Sequence, residues 1–167
     1  MILPIVDEQD NILYYKDSNE RDPSKEIART SALWLFNEEG EVLVAKRSKN
    51  KKFHPNVWNL SVSGTIEEGE TYESNIHKEV MEELGFNLEE LTTGKKELIS
   101  KERKFFSQYF FAKISKNTIF TLQESEVDEV KWISLKELKK WFSEKPEEFS
   151  SHFIYGLRAL EEYVNQS

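Results

Sequence analysis

The sequence predicts one folded domain of the α+β or α/β sandwich class, and three observations support this class. Short apolar runs typical of strands are interspersed with segments of helical composition, without the regular βαβ alternation of a doubly wound fold. The length of 167 residues suits a single ordinary domain. Aromatic residues make up 13% of the chain, and they supply the large apolar groups that disordered chains lack. We therefore expect one domain over residues 1–167.

The predicted strands begin with two hairpins. Ile2–Val6 and Asn11–Lys16 flank a polar turn, and with the polar segment that follows they form an N-terminal hairpin and loop extension over residues 1–28. Ser31–Phe36 and Glu41–Ala45 flank Asn-Glu-Glu-Gly, which is the strongest hairpin signal in the chain. The other strand-like runs are Val57–Ser63, Lys104–Ile114 and Val127–Ser134.

Three segments are predicted as helices, namely Thr71–Leu84, Leu135–Phe142 and Ser151–Val164. The first is followed by Gly85, a residue typical of helix ends. The last has apolar residues on one side, which indicates a face directed at the core: Phe153, Leu157, Leu160 and Val164. The segments Asn87–Glu97 and Glu144–Ser150 are predicted as loops.

Composition excludes several classes of function. The chain has no cysteine, which excludes disulfides, thiolate metal sites and cysteine nucleophiles. Its formal net charge of −8 argues against binding to nucleic acid or to an anionic membrane surface. No signal peptide and no apolar run of roughly 20 residues is present, so we expect a cytoplasmic protein. Neither composition nor spacing indicates an oligomeric state.

The net charge is concentrated in one segment. Nine glutamates and one lysine lie between Gly64 and Glu90, so this stretch alone carries −8. On a helix, Glu79, Glu82 and Glu83 fall within an arc of about 100°. Their mutual repulsion is unfavourable unless a cation offsets it, and hard divalent cations such as Mg²⁺ prefer oxygen ligands. A solvated acidic helix face is the alternative interpretation.

The segment GTIEEGETYESNIHKEVMEELGF resembles the Nudix box, G-x5-E-x7-R-E-U-x-E-E-x-G-U with U apolar. The residues at the fixed positions are Gly64, Glu70, Lys78, Glu79, Val80, Glu82, Glu83, Gly85 and Phe86. Lys78 is the one departure, because the family has arginine there. The resemblance implies an α/β/α sandwich with a mixed β-sheet, and hydrolysis of a diphosphate linked to another group.

The same resemblance implies a bound divalent cation, Mg²⁺ or Mn²⁺. It assigns Glu79, Glu82 and Glu83 as metal ligands. Independently of the resemblance, Gly64 and Gly69 permit a turn in which backbone carbonyls can approach the same ion. The cation would neutralise charge on the phosphate oxygens and lower the pKa of a bound water, so this chemistry needs a cluster of acids rather than a nucleophilic side chain.

Supporting roles are implied for two more residues of the box. Glu70 would orient the loop, and Lys78 would replace the arginine, although a lysine cannot reproduce the fixed fork of a guanidinium. Family members often place an additional acid outside the box. The candidates for it are Glu124, Glu126 and Glu129, of which Glu126 is preferred.

The preceding segment, KRSKNKKFHPNVWNLSVSG, resembles the isopentenyl-diphosphate isomerase branch of the same superfamily. On that match Arg47 and Lys51 hold the diphosphate of the substrate. The isomerase's cysteine, however, falls on Ser63, its neighbouring histidine on Thr65, and its upstream histidine ligands near Ala28. Because none of these residues is retained, the resemblance favours a hydrolase over an isomerase.

The sequence therefore predicts Mg²⁺-dependent hydrolysis of a nucleoside diphosphate derivative or a related small-molecule diphosphate. The catalytic residues are predicted to be Glu70, Lys78, Glu79, Glu82, Glu83 and Glu126. An isomerase and a module that binds a diphosphate without cleaving it are the alternatives. His54, His77 and His152 have no mutual metal-ligand spacing and are predicted to be surface residues.

Overall fold

The computed structural model describes residues 1–166, which form nine strands and three helices. The strands are β1 (Ile2–Val6), β2 (Ile12–Asp17), β3 (Ala28–Phe36), β4 (Val42–Arg47), β5 (Trp58–Leu60), β6 (Val62–Thr65), β7 (Thr92–Ser100), β8 (Lys104–Lys113) and β9 (Val127–Ile133). The helices are α1 (Tyr72–Leu84), α2 (Leu135–Glu144) and α3 (Phe153–Asn165).

A mixed sheet of seven strands forms the centre of the molecule. Strands β3 and β8 are parallel, with Ala28 opposite Phe105 at one end of the register. The other pairs of this sheet, β7–β8, β3–β6, β4–β5 and β4–β9, are antiparallel. Strands β3 and β4 pair only at Phe36 and Val42, because β5 and β6 connect them along the rest of their length. The prediction of a mixed sheet is confirmed.

The single strand predicted over Val57–Ser63 is two strands, β5 and β6, divided at Ser61. The Ser61 hydroxyl is buried. It donates a hydrogen bond to the Leu43 carbonyl at 2.6 Å and accepts one from the Leu35 amide at 2.9 Å. A side chain thus satisfies two backbone groups at the point where the chain changes its pairing partner from β4 to β3.

Helices cover both faces of the sheet, which confirms the predicted sandwich. The apolar stripe of α1, Ile76, Val80 and Leu84, packs with Leu33 and Leu43 on one face. Helices α2 and α3 cover the other face, where a second cluster includes Trp34, Trp58, Leu138, Phe153, Leu157 and Leu160. Val164, predicted to face the core, is exposed near the end of α3. Within residues 1–166, none of the helices is long and apolar enough to cross a membrane.

Strand β7 corrects the prediction of a loop over Asn87–Glu97. Its sequence, TTGKKELIS, is too polar to indicate a strand, and most of its residues are exposed or half-buried. The strand forms because it pairs with the apolar strand β8, from Thr92 opposite Phe111 to Ser100 opposite Lys104. The predicted loop Glu144–Ser150 contains a short 3-10 turn at Pro146–Glu148.

The N-terminal hairpin is a separate two-stranded sheet of β1 and β2. Its turn residue Asp10 attaches it to the domain. The Asp10 carboxylate accepts hydrogen bonds from Arg29 Nε at 2.7 Å, Tyr72 Oη at 2.9 Å and Lys96 Nζ at 2.7 Å. These donors belong to β3, α1 and β7, so one carboxylate connects the hairpin to three elements.

Candidate active site

Helix α1 is fixed at both ends, which sets the direction of its acidic side chains. The Thr71 hydroxyl accepts from the Ser74 amide at 3.0 Å, and the Ser74 hydroxyl accepts from the Thr71 amide at 2.9 Å. This reciprocal capping satisfies two amides that would otherwise lack partners. Gly85 ends the helix in the left-handed conformation, with φ of 71°, as predicted from its position.

The backbone of β6 approaches α1 at Gly64. A Cβ atom at this position would overlap the Cγ of Glu79 and would lie 2.9 Å from Oδ1 of Asn75. The position therefore requires glycine for space, and the Glu79 side chain lies directly against the strand. The backbone role of Gly64 at a metal ion stays a prediction.

Asn75 is a buried residue of the site that sequence reasoning missed. Its Nδ2 donates to the Thr65 carbonyl at 3.1 Å and to Glu70 Oε1 at 3.3 Å, and its Oδ1 accepts from the Ser31 hydroxyl. It thereby connects α1, β3 and the loop before the helix. The signal available in the sequence was a polar side chain one turn before Glu79 on the same helical face.

The acids of α1 form an electrostatically unfavourable group. Burial and the neighbouring Glu82 carboxylate raise the pKa of Glu79 to about 7. Burial, together with Glu79 and Glu126, raises the pKa of Glu83 well above its usual value. Among residues 1–166, Glu83 Oε2 is a buried side-chain oxygen without a hydrogen-bond partner. Such an atom is unfavourable in a folded protein unless a ligand or ion satisfies it.

Lys78 holds the loop that precedes the helix. Its Nζ lies 2.9 Å from Glu67 Oε2, 2.8 Å from Glu70 Oε2 and 3.9 Å from Glu79 Oε1. Glu70 also accepts from the Glu67 amide at 2.7 Å. Burial would raise the pKa of Glu70, but the hydrogen bonds from Lys78 and the Glu67 amide outweigh it and lower that pKa. The ammonium group of Lys78 therefore connects Glu67 and Glu70 through single-point contacts.

Glu126 lies at the acidic cluster, and the two alternatives to it do not. Glu126 Oε2 is 2.7 Å from Lys51 Nζ, and its charge acts on both Glu79 and Glu83. The segment is held there because the Gln123 amide donates to the Glu83 carbonyl at 3.1 Å and the Ser48 amide to the Glu126 carbonyl at 2.9 Å. Glu124 and Glu129 are exposed and lie outside the cleft that contains Glu126.

One open cleft of about 710 Å³ brings the predicted residues together. The predicted site residues on its walls are Arg47, Lys51, Gly64, Lys78, Glu79, Glu82, Glu83 and Glu126. Glu70 is not on the walls, in keeping with its contacts inside the loop. Arg47 is oriented by a hydrogen bond from its Nε to the Phe53 carbonyl at 3.0 Å.

The opposite end of the cleft was missed by sequence reasoning. Arg21, Arg103 and His152 line it. His152, predicted to be a surface residue, is half-buried and packs edge-on against Phe105, with ring centroids 5.1 Å apart. The three residues are distant in sequence, so no spacing could have indicated that they meet.

The residues at the acidic end fit a divalent cation by their chemistry. No three acidic or histidine side chains of residues 1–166 are arranged as a preformed metal cluster. The donors are nevertheless carboxylate oxygens with a glycine backbone beside them, which suits hard cations. The buried Glu83 Oε2, which has no partner in the described part of the chain, is an oxygen that such an ion would satisfy.

Comparison with known proteins points to one family. A family model described as the NUDIX domain matches residues 26–153. A Nudix hydrolase of Listeria monocytogenes is 35% identical over 105 residues, which are 63% of this chain and 62% of that protein. A prenyl-diphosphate phosphatase of Methanosarcina mazei is 29% identical over 91% of this chain and 90% of its own length. An isopentenyl-diphosphate Delta-isomerase of Salmonella heidelberg is 48% identical, but only over 35% of this chain and 33% of its own.

Solved structures agree with the fold. A Deinococcus radiodurans protein, DR0079, superimposes with a TM-score of 0.78 at 21% identity, and the alignment covers 95% of this chain and 98% of that one. The NUDIX domain of Shewanella oneidensis NrtR, solved with ADP ribose, gives a TM-score of 0.66 at 17% identity over 87% of this chain and 95% of its own. At these identities the likeness shows the fold, and it confirms the predicted α/β/α architecture.

Proposed function

This chain belongs to the Nudix family, and on that premise we propose that it hydrolyses a diphosphate linkage in a nucleoside diphosphate derivative or a related compound. Water would attack one phosphorus atom and the bridging P–O bond would break, giving two phosphate-bearing products. The chain spans about three fifths of the length of the first curated relatives it matches. The support for the proposed activity therefore comes from the cleft.

The observation that carries the proposal is the opposition of charges across the cleft. The Glu83 carboxylate, whose Oε2 has no hydrogen-bond partner in the described part of the chain, lies with Glu79 and Glu126, while Arg47 and Lys51 line the same cleft. A diphosphate needs cations around its oxygens and a site that can activate water. Both requirements are met by residues that lie within one cavity.

A divalent cation, Mg²⁺ or Mn²⁺, would be held by Glu79, Glu82 and Glu83 with the Gly64 backbone beside them. Bound there, it would supply charge neutralisation at the phosphate oxygens and acidify a water molecule. The side chains of this protein provide the rest. Arg47 and Lys51 bind and orient the diphosphate, and Glu126 is positioned to accept a proton from water.

The test is release of products from a panel of nucleoside diphosphate derivatives and other diphosphates with Mg²⁺ or Mn²⁺. We expect wild type to cleave at least one compound, and Glu83→Gln and Glu79→Gln to lose activity by roughly 10²-fold or more. Glu73→Gln is the matched control, because Glu73 lies on the same helix, is exposed and is outside the cleft.

Two outcomes would contradict the proposal. If every compound is recovered intact while metal-dependent binding is tight, the protein is a diphosphate-binding module. If Glu83→Gln and Glu79→Gln both match wild type, the acidic cluster is not the active site. Circular dichroism of both variants separates lost chemistry from lost folding.

An isomerase is the second candidate, favoured by the 48% identity to the Salmonella isomerase over 59 residues. An isomerase would convert isopentenyl diphosphate to its allylic isomer without release of phosphate. Ser63 and Thr65 stand where that branch has its cysteine and histidine, and both line the cleft. We therefore expect no isomerisation.

A further inference from the structure

The cleft has a second cationic region that the proposed hydrolysis does not use. Arg21 and Arg103 line it together with His152, and none of the three lies on β4 or the following loop, which carry Arg47 and Lys51. The region is assembled from the N-terminal extension, the turn between β7 and β8 and the residue before α3.

Arg21 is held in place without being neutralised. Its Nε donates to the Glu26 carbonyl at 3.1 Å, and its Nη2 donates to the carbonyls of Glu26 at 2.9 Å and Lys104 at 2.6 Å. All three contacts are to uncharged backbone oxygens. The Glu26 carboxylate pairs instead with Lys16 Nζ at 3.1 Å and with Tyr14 Oη at 2.6 Å. Arg21 is therefore an oriented guanidinium whose direct hydrogen-bond partners are all uncharged.

Arg103 adds a second cation on an exposed side chain. In the described part of the chain, its guanidinium makes no hydrogen bond or ion pair. Burial and the proximity of Arg103 lower the pKa of both Arg21 and His152. The acids that oppose this effect are Asp22 and Glu26 at Arg21, and Glu102 at His152. The lowered pKa of His152 favours its neutral form, so the charge of the region comes from Arg21 and Arg103. An anion placed between these two like charges would be favourable.

The cationic region is displaced along β3 from Gly64, beside which the acidic cluster lies. Gly64 pairs with Ser31, whereas Phe105, next to the cationic region, pairs with Ala28. Three residues along β3 correspond to about 10 Å, and Arg103 lies beyond Phe105 in the turn. The cleft is lined along β3 by the small residues Ala28, Thr30 and Ala32, which leave room for an organic group.

We propose that the substrate is a diphosphate whose organic part carries a second anionic group, a phosphate or a carboxylate, bound by Arg21, Arg103 and His152. This inference rests on the proposed function for the location of the diphosphate. It adds a specificity site that selects doubly anionic substrates over substrates with an apolar or neutral end.

The test compares equilibrium binding within pairs of compounds that differ in one anionic group. The phosphate pairs are NADPH with NADH and coenzyme A with dephospho-coenzyme A, and the carboxylate pair is UDP-glucuronate with UDP-glucose. Calorimetry without divalent metal prevents turnover. We expect the member with the extra anion to bind at least tenfold more tightly in one of these pairs, and Arg103→Ala to reduce that preference to within about twofold.

Arg158→Ala is the matched control, because it removes the same charge from an exposed arginine outside the cleft. Three results would overturn the inference: no preference in any pair, equal losses for both members in Arg103→Ala, or equal losses in Arg103→Ala and Arg158→Ala. Geranyl diphosphate lacks a second anion. If it binds more tightly than every compound that carries one, the inference is also overturned. If the member with the extra anion binds more tightly but no compound is hydrolysed when Mg²⁺ is added, only the proposed function is contradicted.

Discussion

Lys51 Nζ lies 2.7 Å from Glu126 Oε2, so a cation assigned to the substrate is paired in the free protein with an acid of the site. The two side chains are only partly exposed, at 25% and 33%, and the pair closes the gap between the loop after β4 and the segment before β9. On the proposed function, an incoming diphosphate would compete with Glu126 for Lys51. Substrate binding would then free the Glu126 carboxylate beside the acidic cluster.

The first prediction concerns this exchange. In Glu126→Gln, Lys51 loses its charged partner, so we expect the KM for a cleaved diphosphate to fall severalfold. We expect kcat to fall by roughly 10²-fold or more, because the amide cannot accept a proton from water. Steady-state kinetics on the best compound of the panel measures both quantities.

Glu124→Gln and Glu129→Gln are the controls, since the same change is made at exposed neighbours. Both should retain the wild-type kcat. An unchanged kcat in Glu126→Gln, or a loss in Glu129→Gln alone, would show that the base was assigned to the wrong acid.

The second prediction concerns Lys78, which replaces the arginine of the family. In Lys78→Met, Glu67 and Glu70 lose the cation between them, and the loop against the acidic cluster loosens. We expect kcat to fall about 10- to 100-fold, the range typical of residues that orient metal ligands. Lys78→Arg should keep most of the activity, because a guanidinium can contact both acids through its fork.

Lys116→Met provides the control for the loss of a lysine between two glutamates. Lys116 Nζ lies 2.7 Å from Glu39 and 3.4 Å from Glu41 on an exposed turn. Its replacement should leave kcat unchanged. Similar losses in Lys78→Met and Lys116→Met would mean that the effect is one of general stability.

Elements whose signals are local could be predicted from the sequence. Helix α1 is specified by its own apolar stripe, by Thr71 at its start and by Gly85 at its end, so its bounds were predicted to within one residue. Strand β7 was missed because its polar residues become a strand only through pairing with β8. The division of one predicted strand at Ser61 likewise depends on two partners that are distant in sequence.

The same distinction applies to the candidate site. The acids of the box stand at fixed spacings on one helix, so a pattern could identify them, and the structure brings them into one cleft with Arg47 and Lys51. Arg21, Arg103 and His152 come from separate elements, and only the fold brings them together. No pattern in the chain could indicate their proximity.

The third prediction concerns the division between β5 and β6. Ser61→Ala removes the hydroxyl that satisfies the Leu35 amide and the Leu43 carbonyl, and leaves both buried groups unpaired. We expect the free energy of unfolding to fall by about 2 to 4 kcal/mol. Urea denaturation followed by tryptophan fluorescence measures this change.

Ser63→Ala is the matched control two residues further along, where the serine side chain makes no hydrogen bond in the described part of the chain. It should change stability by less than about 0.5 kcal/mol. Equal effects of the two substitutions would contradict the role given to the Ser61 hydroxyl.

The fourth prediction concerns Asp10 and the pH dependence of stability. Partial burial would raise the pKa of Asp10, but hydrogen bonds from Lys96, Arg29 and Tyr72 outweigh it and hold the pKa below the usual 3.8. The lowered pKa means that the stabilisation is present in full above the pKa of the unfolded chain and is lost as the pH falls through the pKa of the folded protein. Asp10→Asn should therefore lower the free energy of unfolding by about 2 kcal/mol at pH 7.

The difference in the free energy of unfolding between wild type and Asp10→Asn should shrink as the pH is lowered through 4 and below. Wild type then loses the charge of Asp10 by protonation. Urea denaturation at pH 7, 4 and 3 follows the change. Asp7→Asn is the control within the same turn, since the hydrogen bonds of the Asp7 carboxylate go to Gln9 and Asn11 inside the hairpin; its effect should be much smaller. A difference for Asp10→Asn that stays constant over this pH range would mean that its charge does not hold the hairpin to the domain.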